Sequence, residues 1–292
     1  MNFLILEKYP EINIEYLNYL EDNGHKIFGF QEQVDFSQID AIIIRSKIEL
    51  NKDLISKFPN LKYVCRIGVG LEKVDLKLCD AKNIKVLNTP GANSSSVADL
   101  VIWGILSLLR KTNKSWRNLD DRFQFFGENL ENKKIGFIGF GNIAKKVYSR
   151  LSGFEGNDFV FFDPYISSDI GNVKKMQDKK EIFKTCDIIS FHIPLTEETK
   201  NFLGKDDFSL LKKNVKIINT SRGGIIDENE LIRFLQKNKE SGAFLDTWEE
   251  EPVNPKTKLL NLENCIITPH IGAMTLESDK NMHYFKEFDI NK

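Results

Sequence analysis

The chain has 292 residues, 41% of them hydrophobic, enough for two apolar cores rather than one. Its 41 basic residues are balanced by 42 acidic ones, and the net charge of −1 excludes any strong pull toward nucleic acid or an anionic membrane. The four cysteines, Cys65, Cys79, Cys186 and Cys265, form no CxxC pair, so no metal site or disulfide framework is expected, and buried thiols in a reducing cytoplasm are.

Residues 1–6, apolar over Phe3–Leu6, lack a basic flank and run into Glu7 and Lys8, so they read as a first strand and not as a signal peptide. Short apolar runs follow at 26–28, 41–44, 63–65 and 86–87, as buried parallel strands should appear, with helical patterns between most of them, for example 71–82. Residues 94–110 open with serines suited to capping and continue as a broad apolar helix, a candidate for the join between two domains. Its apolar core, 97–109, carries Asp99 and is too short to span a membrane. Residues 114–127 are polar and aromatic and are expected to form an extended arm. A second series of strand-like runs occupies 135–138, 159–162, 188–191, 216–218, 243–245 and 266–267. Two βα series predict an α/β protein with two doubly wound, parallel-sheet domains.

The turn after the first strand of the second series is Gly139-Phe140-Gly141-Asn142-Ile143-Ala144. Gly139 permits a tight turn, Gly141 leaves room for a pyrophosphate, and the helix that follows offers unpaired N–H groups to that anion. Asp163 lies 24 positions after Gly139, at the end of the next strand, where a carboxylate accepts both ribose hydroxyls of NAD and repels the 2′-phosphate of NADP. The competing reading of Asp163 is a cap for the Asp163-Pro164 turn.

Four histidines are present: His25, His192, His270 and His283. His25 follows Asn23-Gly24 and reads as a turn residue; His283 reads as solvated in a polar terminal helix. His192 ends a strand at the carboxyl edge of the sheet, where it either lines a nicotinamide pocket or bonds a loop. His270 ends the last predicted strand at the same edge. Arg222, before Gly223-Gly224, is placed there too, and its guanidinium suits bidentate grip of a carboxylate. Glu251 follows the 243–245 strand. A carboxylate beside imidazole favours the protonated ring, raising its pKa from about 6.5, so that His270 can protonate a carbonyl oxygen as hydride arrives and act as base in reverse. Asp246, at a strand end, is placed to accept a hydrogen bond from the nicotinamide carboxamide.

These motifs, with Arg66-Ile67-Gly68-Val69-Gly70, Asn88-Thr89-Pro90-Gly91, Asn219-Thr220-Ser221-Arg222-Gly223, Glu251-Pro252 and Thr268-Pro269-His270-Ile271-Gly272, resemble the D-isomer-specific 2-hydroxyacid dehydrogenases over nearly the whole chain. The resemblance implies two Rossmann/flavodoxin-like domains, with a substrate domain of 1–93 plus 275–292 and an NAD-binding domain of 94–274. It implies Arg222, Glu251 and His270 as the catalytic trio. Gly139, Gly141, Asn142, Ile143, Asp163, His192, Thr220, Ser221, Asp246 and Gly272 are the expected NAD contacts. Ile67, Gly68, Val69 and Gly70 are expected to bind the substrate carboxylate through backbone N–H groups, and a homodimer through the nucleotide domain is expected.

Ala144 replaces the third glycine of the turn, and the stretch after Gly272 is short for the family, so a less firmly closed substrate domain and no serine-binding regulatory domain are expected. Arg45, in Ile44-Arg45-Ser46, resembles the arginine that helps bind phosphate in phosphoglycerate dehydrogenases; the competing reading is a surface ion pair. Three readings stay open: a 3-phosphoglycerate dehydrogenase, a glyoxylate/hydroxypyruvate reductase, and a non-catalytic NAD-binding scaffold similar to the C-terminal-binding-protein corepressors. Glutamate rather than glutamine beside the histidine disfavours the formate dehydrogenase branch.

Overall fold

Alternation of short apolar strands with helices gives two all-parallel sheets, each with its own core; the computed structural model describes residues 1–7, 14–30, 32–115, 123, 125–252 and 254–288. The chain separates into two compact units, residues 1–93 with 274–292 and residues 94–273.

The first unit contains β1 (Asn2–Ile5), α1 (Ile14–Asp22), β2 (Lys26–Phe28), β3 (Ala41–Ile44), α2 (Lys52–Ile55), β4 (Tyr63–Arg66), α3 (Leu76–Ala81) and β5 (Lys85–Leu87). Its strand order is β2-β1-β3-β4-β5, so the order reverses between β1 and β3. Such a reversal opens a crevice at the carboxyl ends of the two strands, the usual ligand position in open α/β sheets. The helix expected over 71–82 is shorter. Asp75 caps α3 through the Leu78 N–H at 3.0 Å, while Val74 pairs with Leu50 in an isolated bridge, which removes 71–74 from the helix.

The second unit begins with α4 (Ser94–Leu109) and α5 (Thr112–Ser115), then β6 (Lys134–Ile138), α6 (Asn142–Leu151), β7 (Asp158–Phe162), β8 (Lys174–Lys175), α7 (Lys179–Thr185), β9 (Ile188–Phe191), β10 (Lys216–Asn219), α8 (Glu228–Lys237), β11 (Gly242–Leu245) and β12 (Cys265–Ile267). The order β12-β11-β10-β9-β6-β7-β8 places the reversal between β6 and β9. Successive strand residues face opposite cores: Phe137, Phe161, Ile218 and Phe244 pack with α4 and α6, whereas Ile138, Val160, Ile217 and Ala243 pack with α7 and α8. Burial on both faces explains why these strands read as continuous apolar runs. The expected arm at 114–127 lies largely outside the described residues, and Lys114 belongs to α5.

The remaining helix, α9 (Leu276–Met282), belongs to the first unit. His283 at its end is not solvated as expected; it is 3% exposed, with Nδ1 2.7 Å from the Asp279 carbonyl, because the helix ends by turning this ring inward. Among the described residues no helix is long and apolar enough to cross a membrane.

Candidate active site

In the second unit, the glycine turn and His192 lie at the β6/β9 reversal. Gly139 has φ +84, and a Cβ there would stand 2.7 Å from the His192 carbonyl oxygen, so only glycine lets the two strand ends meet. Gly141, the N-cap of α6, gives the helix no side-chain cap, and the space beside it is open. The first-turn donors of α6, Asn142 and Ile143 among them, therefore point outward uncapped, as an anion requires. Asp163, after β7, accepts the Phe140 N–H at 3.0 Å and the Tyr165 N–H at 2.9 Å. It thus steadies the glycine turn as well as its own Asp163-Pro164 turn, the capping reading.

His192 is partly buried, with Nδ1 closed off from solvent: Nε2 lies 2.9 Å from Ser190 Oγ, and loss of hydration pushes its pKa down to about 3, so the ring is neutral at physiological pH. Its Nδ1 has no partner among the described residues, and neither has the buried Thr220 Oγ1 at the end of β10. Buried polar atoms are ordinarily paired. Two orphans at neighbouring strand ends, with an uncapped helix terminus beside them, suit the amide and phosphate groups of a dinucleotide.

The carboxyl ends of β10, β11 and β12 carry the remaining groups, in register through Asn219 opposite Leu245 and Leu245 opposite Ile267. After β10, the buried Asn219 takes the Ser221 N–H at 3.1 Å and Ser221 Oγ at 2.7 Å, and donates to the Arg222 carbonyl at 2.8 Å. Arg222 Nη1 donates to the Ser221 carbonyl at 2.7 Å. The next residue, Gly223, is pressed against the neighbouring loop, where a Cβ would fall 1.6 Å from the Trp248 carbonyl oxygen. In that loop Glu251 reaches His270: Nδ1 lies 2.8 Å and 3.0 Å from its two carboxylate oxygens. Burial raises the Glu251 pKa, but the hydrogen bond and charge of His270, the Trp248 N–H and the Arg222 charge outweigh it, leaving the carboxyl below its ordinary value.

His270 sits at φ +55, an uncommon conformation for a non-glycine residue. Asp246 enforces it. This carboxylate, 1% exposed, accepts Thr268 Oγ1 at 2.6 Å, the Ile271 N–H at 2.8 Å and the Gly272 N–H at 2.8 Å, bracketing the histidine. Burial raises the Asp246 pKa even against these donors. Asp246 and Gly272, expected to meet cofactor, are thus bound to each other. Asn219 enters the sequence reading only as the first residue of the Asn219-Thr220-Ser221-Arg222-Gly223 motif, with no role of its own assigned.

In the first unit, Arg45 follows β3, and 67–70 follows β4. The Arg45 guanidinium has Asp279 at 3.6 Å and the Met274 sulfur at 3.5 Å, the ion-pair arrangement. The Ile67 N–H is taken by the Ile44 carbonyl at 2.9 Å and so extends the sheet; it is not open to a substrate. Gly68, Val69 and Gly70 have no hydrogen bond from their N–H groups among the described residues. Arg66, which sequence reasoning passed over, donates from Nη1 to the Ile67 carbonyl at 2.8 Å.

Residues 102–272 match the family described as D-isomer specific 2-hydroxyacid dehydrogenase, NAD binding domain. The chain belongs to that family. Among relatives of this D-2-hydroxyacid dehydrogenase family member, D-3-phosphoglycerate dehydrogenase of Methanocaldococcus jannaschii is 38% identical over 249 residues, 82% of this chain and 47% of the relative. Hydroxypyruvate reductase of Thermotoga maritima is 36% identical over 265 residues, 87% of this chain and 86% of the relative. The chain spans about half the length of the phosphoglycerate dehydrogenases it matches. A solved structure of D-lactate dehydrogenase from Aquifex aeolicus, complexed with NAD and lactic acid, superposes with a TM-score of 0.82 at 28% identity, over 97% of this chain and 92% of that one.

Proposed function

We propose that the chain is an NAD-dependent D-2-hydroxyacid dehydrogenase that interconverts a small 2-oxo acid and its 2-hydroxy acid. The observation that carries this is the His270–Glu251 pair, on the same sheet edge as Arg222 and in the unit that carries the family's NAD-binding domain. Bound nicotinamide supplies the hydride for the carbonyl carbon. Protonated on Nε2 and held through Nδ1 by Glu251, His270 gives its proton to the carbonyl oxygen, and in the reverse direction takes it back. Arg222 grips the carboxylate of the acid and polarises the carbonyl. Gly139, Gly141, Asn142 and Ile143 hold the pyrophosphate, Asp163 the ribose, and His192, Thr220 and Ser221 the nicotinamide end. The N–H groups of Gly68, Val69 and Gly70 receive the substrate carboxylate, and Arg45 a phosphate.

For the substrate we favour 3-phosphoglycerate and 3-phosphooxypyruvate, supported by relatives named D-3-phosphoglycerate dehydrogenase. One observation favours hydroxypyruvate or glyoxylate instead: the Arg45 guanidinium already faces Asp279. The same proposal carries a substrate domain of 1–93 plus 275–292, an NAD domain of 94–274, a homodimer through the latter, and a cytoplasmic location, the last in keeping with four free cysteines.

Loss of NADH absorbance, followed with 3-phosphooxypyruvate, hydroxypyruvate and glyoxylate and repeated with NADPH, tests the proposal. Turnover with NADH should fall roughly a hundredfold to ten-thousandfold in His270→Ala. NADH binding with no turnover of any acid would favour the scaffold reading. Arg45→Ala should raise KM about tenfold for the phosphorylated acid and little for the others; equal effects would refute a phosphate role.

A further inference from the structure

The β1/β3 reversal of the first unit is a ligand position by topology, yet the chain has placed a carboxylate of its own there. Glu7 follows β1, is 6% exposed, and points at the loop after β3. Its Oε1 accepts the Arg45 N–H at 2.8 Å and the Ile48 N–H at 3.0 Å, and its Oε2 accepts the Lys47 N–H at 3.2 Å. Three main-chain donors directed at one carboxylate form an anion-binding nest, here filled from within. The loop is stitched onward: Lys73 Nζ donates to the Ser46 carbonyl at 2.8 Å, and the Leu50 N–H to the Lys73 carbonyl at 2.7 Å. Lys73 lies just beyond the 67–70 loop, whose free N–H groups lie at the same carboxyl edge.

We propose that Glu7 is a positioning residue: by holding the N–H groups of Arg45, Lys47 and Ile48 it fixes the 45–48 loop, and through Lys73 the 67–70 loop, and so sets affinity for the acid substrate without setting affinity for the dinucleotide. This rests on the dehydrogenase reading above. A carboxylate is required rather than a neutral acceptor because three donors converge on it, more than one amide oxygen can satisfy in this geometry. It also spares the sheet edge an open anion-binding nest that would compete with the acid's proper site.

Glu7→Gln keeps the shape and removes the charge, turning an NH2 toward one of the three donors. In the full-length protein, three measurements decide the matter. Hydrogen exchange at the amides of 45–48 should quicken. The Kd of oxalate for the NADH-loaded protein, read by NADH fluorescence, and the KM of the 2-oxo acid should each rise about tenfold, as loss of a charge-assisted bond implies. The Kd of NADH and kcat should stay within about twofold, on the same conversion of free energy to affinity. Unchanged exchange, an unchanged oxalate Kd, or equal weakening of oxalate and NADH would overturn the assignment. A wild-type protein that neither reduces the acids nor binds oxalate would overturn the dehydrogenase reading and this assignment together; oxalate binding alike in wild type and variant would overturn this assignment alone.

Discussion

Replacing Asp246 by asparagine separates two roles that a buried acid at a strand end can play. In the structure its two oxygens take Thr268 Oγ1 and the N–H groups of Ile271 and Gly272. Asparagine keeps one oxygen for the first two donors and turns an NH2 against the Gly272 N–H. One lost buried hydrogen bond costs about 1–3 kcal/mol. Against this, the variant no longer buries a charge, the effect that raises the Asp246 pKa. The two oppose each other, so Tm should move by no more than about 5 °C for a unit of this size. Activity is not so protected. His270 is held at φ +55 by donors on either side of it, and a slackened turn displaces the imidazole. A misplacement of about 1 Å costs roughly a hundredfold in rate. We expect kcat to fall about a hundredfold, while the NADH Kd, from fluorescence titration, changes by less than about threefold. The opposite pattern, NADH binding weakened tenfold or more with kcat nearly intact, would show that Asp246 serves the nicotinamide carboxamide and that the clamp reasoning is wrong.

Two pH effects follow from the same unit. Folding depresses the His192 pKa to about 3, so the unfolded chain binds the extra proton first; stability is fully present above the unfolded value of about 6.5 and is lost as pH falls toward 3. His192→Asn should flatten this part of the Tm-versus-pH curve, and a variant with wild-type slope would mean that folding does not depress the pKa of this ring. Glu251 is likewise depressed, so its contribution is present above the unfolded carboxylate pKa and disappears as pH falls through the lower folded value. The Tm difference between wild type and Glu251→Gln should therefore narrow in acid; a gap that widens there would contradict the His270 pairing.

The strands were legible because burial on both faces leaves unbroken apolar runs, and the glycine turn because only glycine fits its dihedrals. β8 was not: Lys174 and Lys175 form a two-residue edge strand with no apolar signature. The 71–82 pattern overran its helix because Leu71 and Val74 are apolar for other reasons, Val74 in the bridge to Leu50 and Leu71 packed against the first unit's core. The residues that hold the loops, Glu7, Asn219 and Asp246, were read as the end of a strand, as part of a motif, and as a ligand contact. A polar residue at a strand end looks the same in sequence whether it faces a ligand or its neighbour's loop. Which it does depends on strand order, a long-range property. His283 was misjudged for the same reason, since its surroundings are charged in sequence but closed in space.

The contact between Gly223 and the Trp248 carbonyl has a bearing on evolvability. Two neighbouring loops, one bearing Arg222 and the other Glu251, abut through main-chain atoms with no room for even a methyl group. The main-chain separation of the two loops at this point is therefore insulated from drift in the surrounding side chains. A lineage that adapted to bulkier acids would have no means of widening the pocket by parting these loops. Adaptation would have to come from side chains elsewhere, with the main chain of these two loops left as it is.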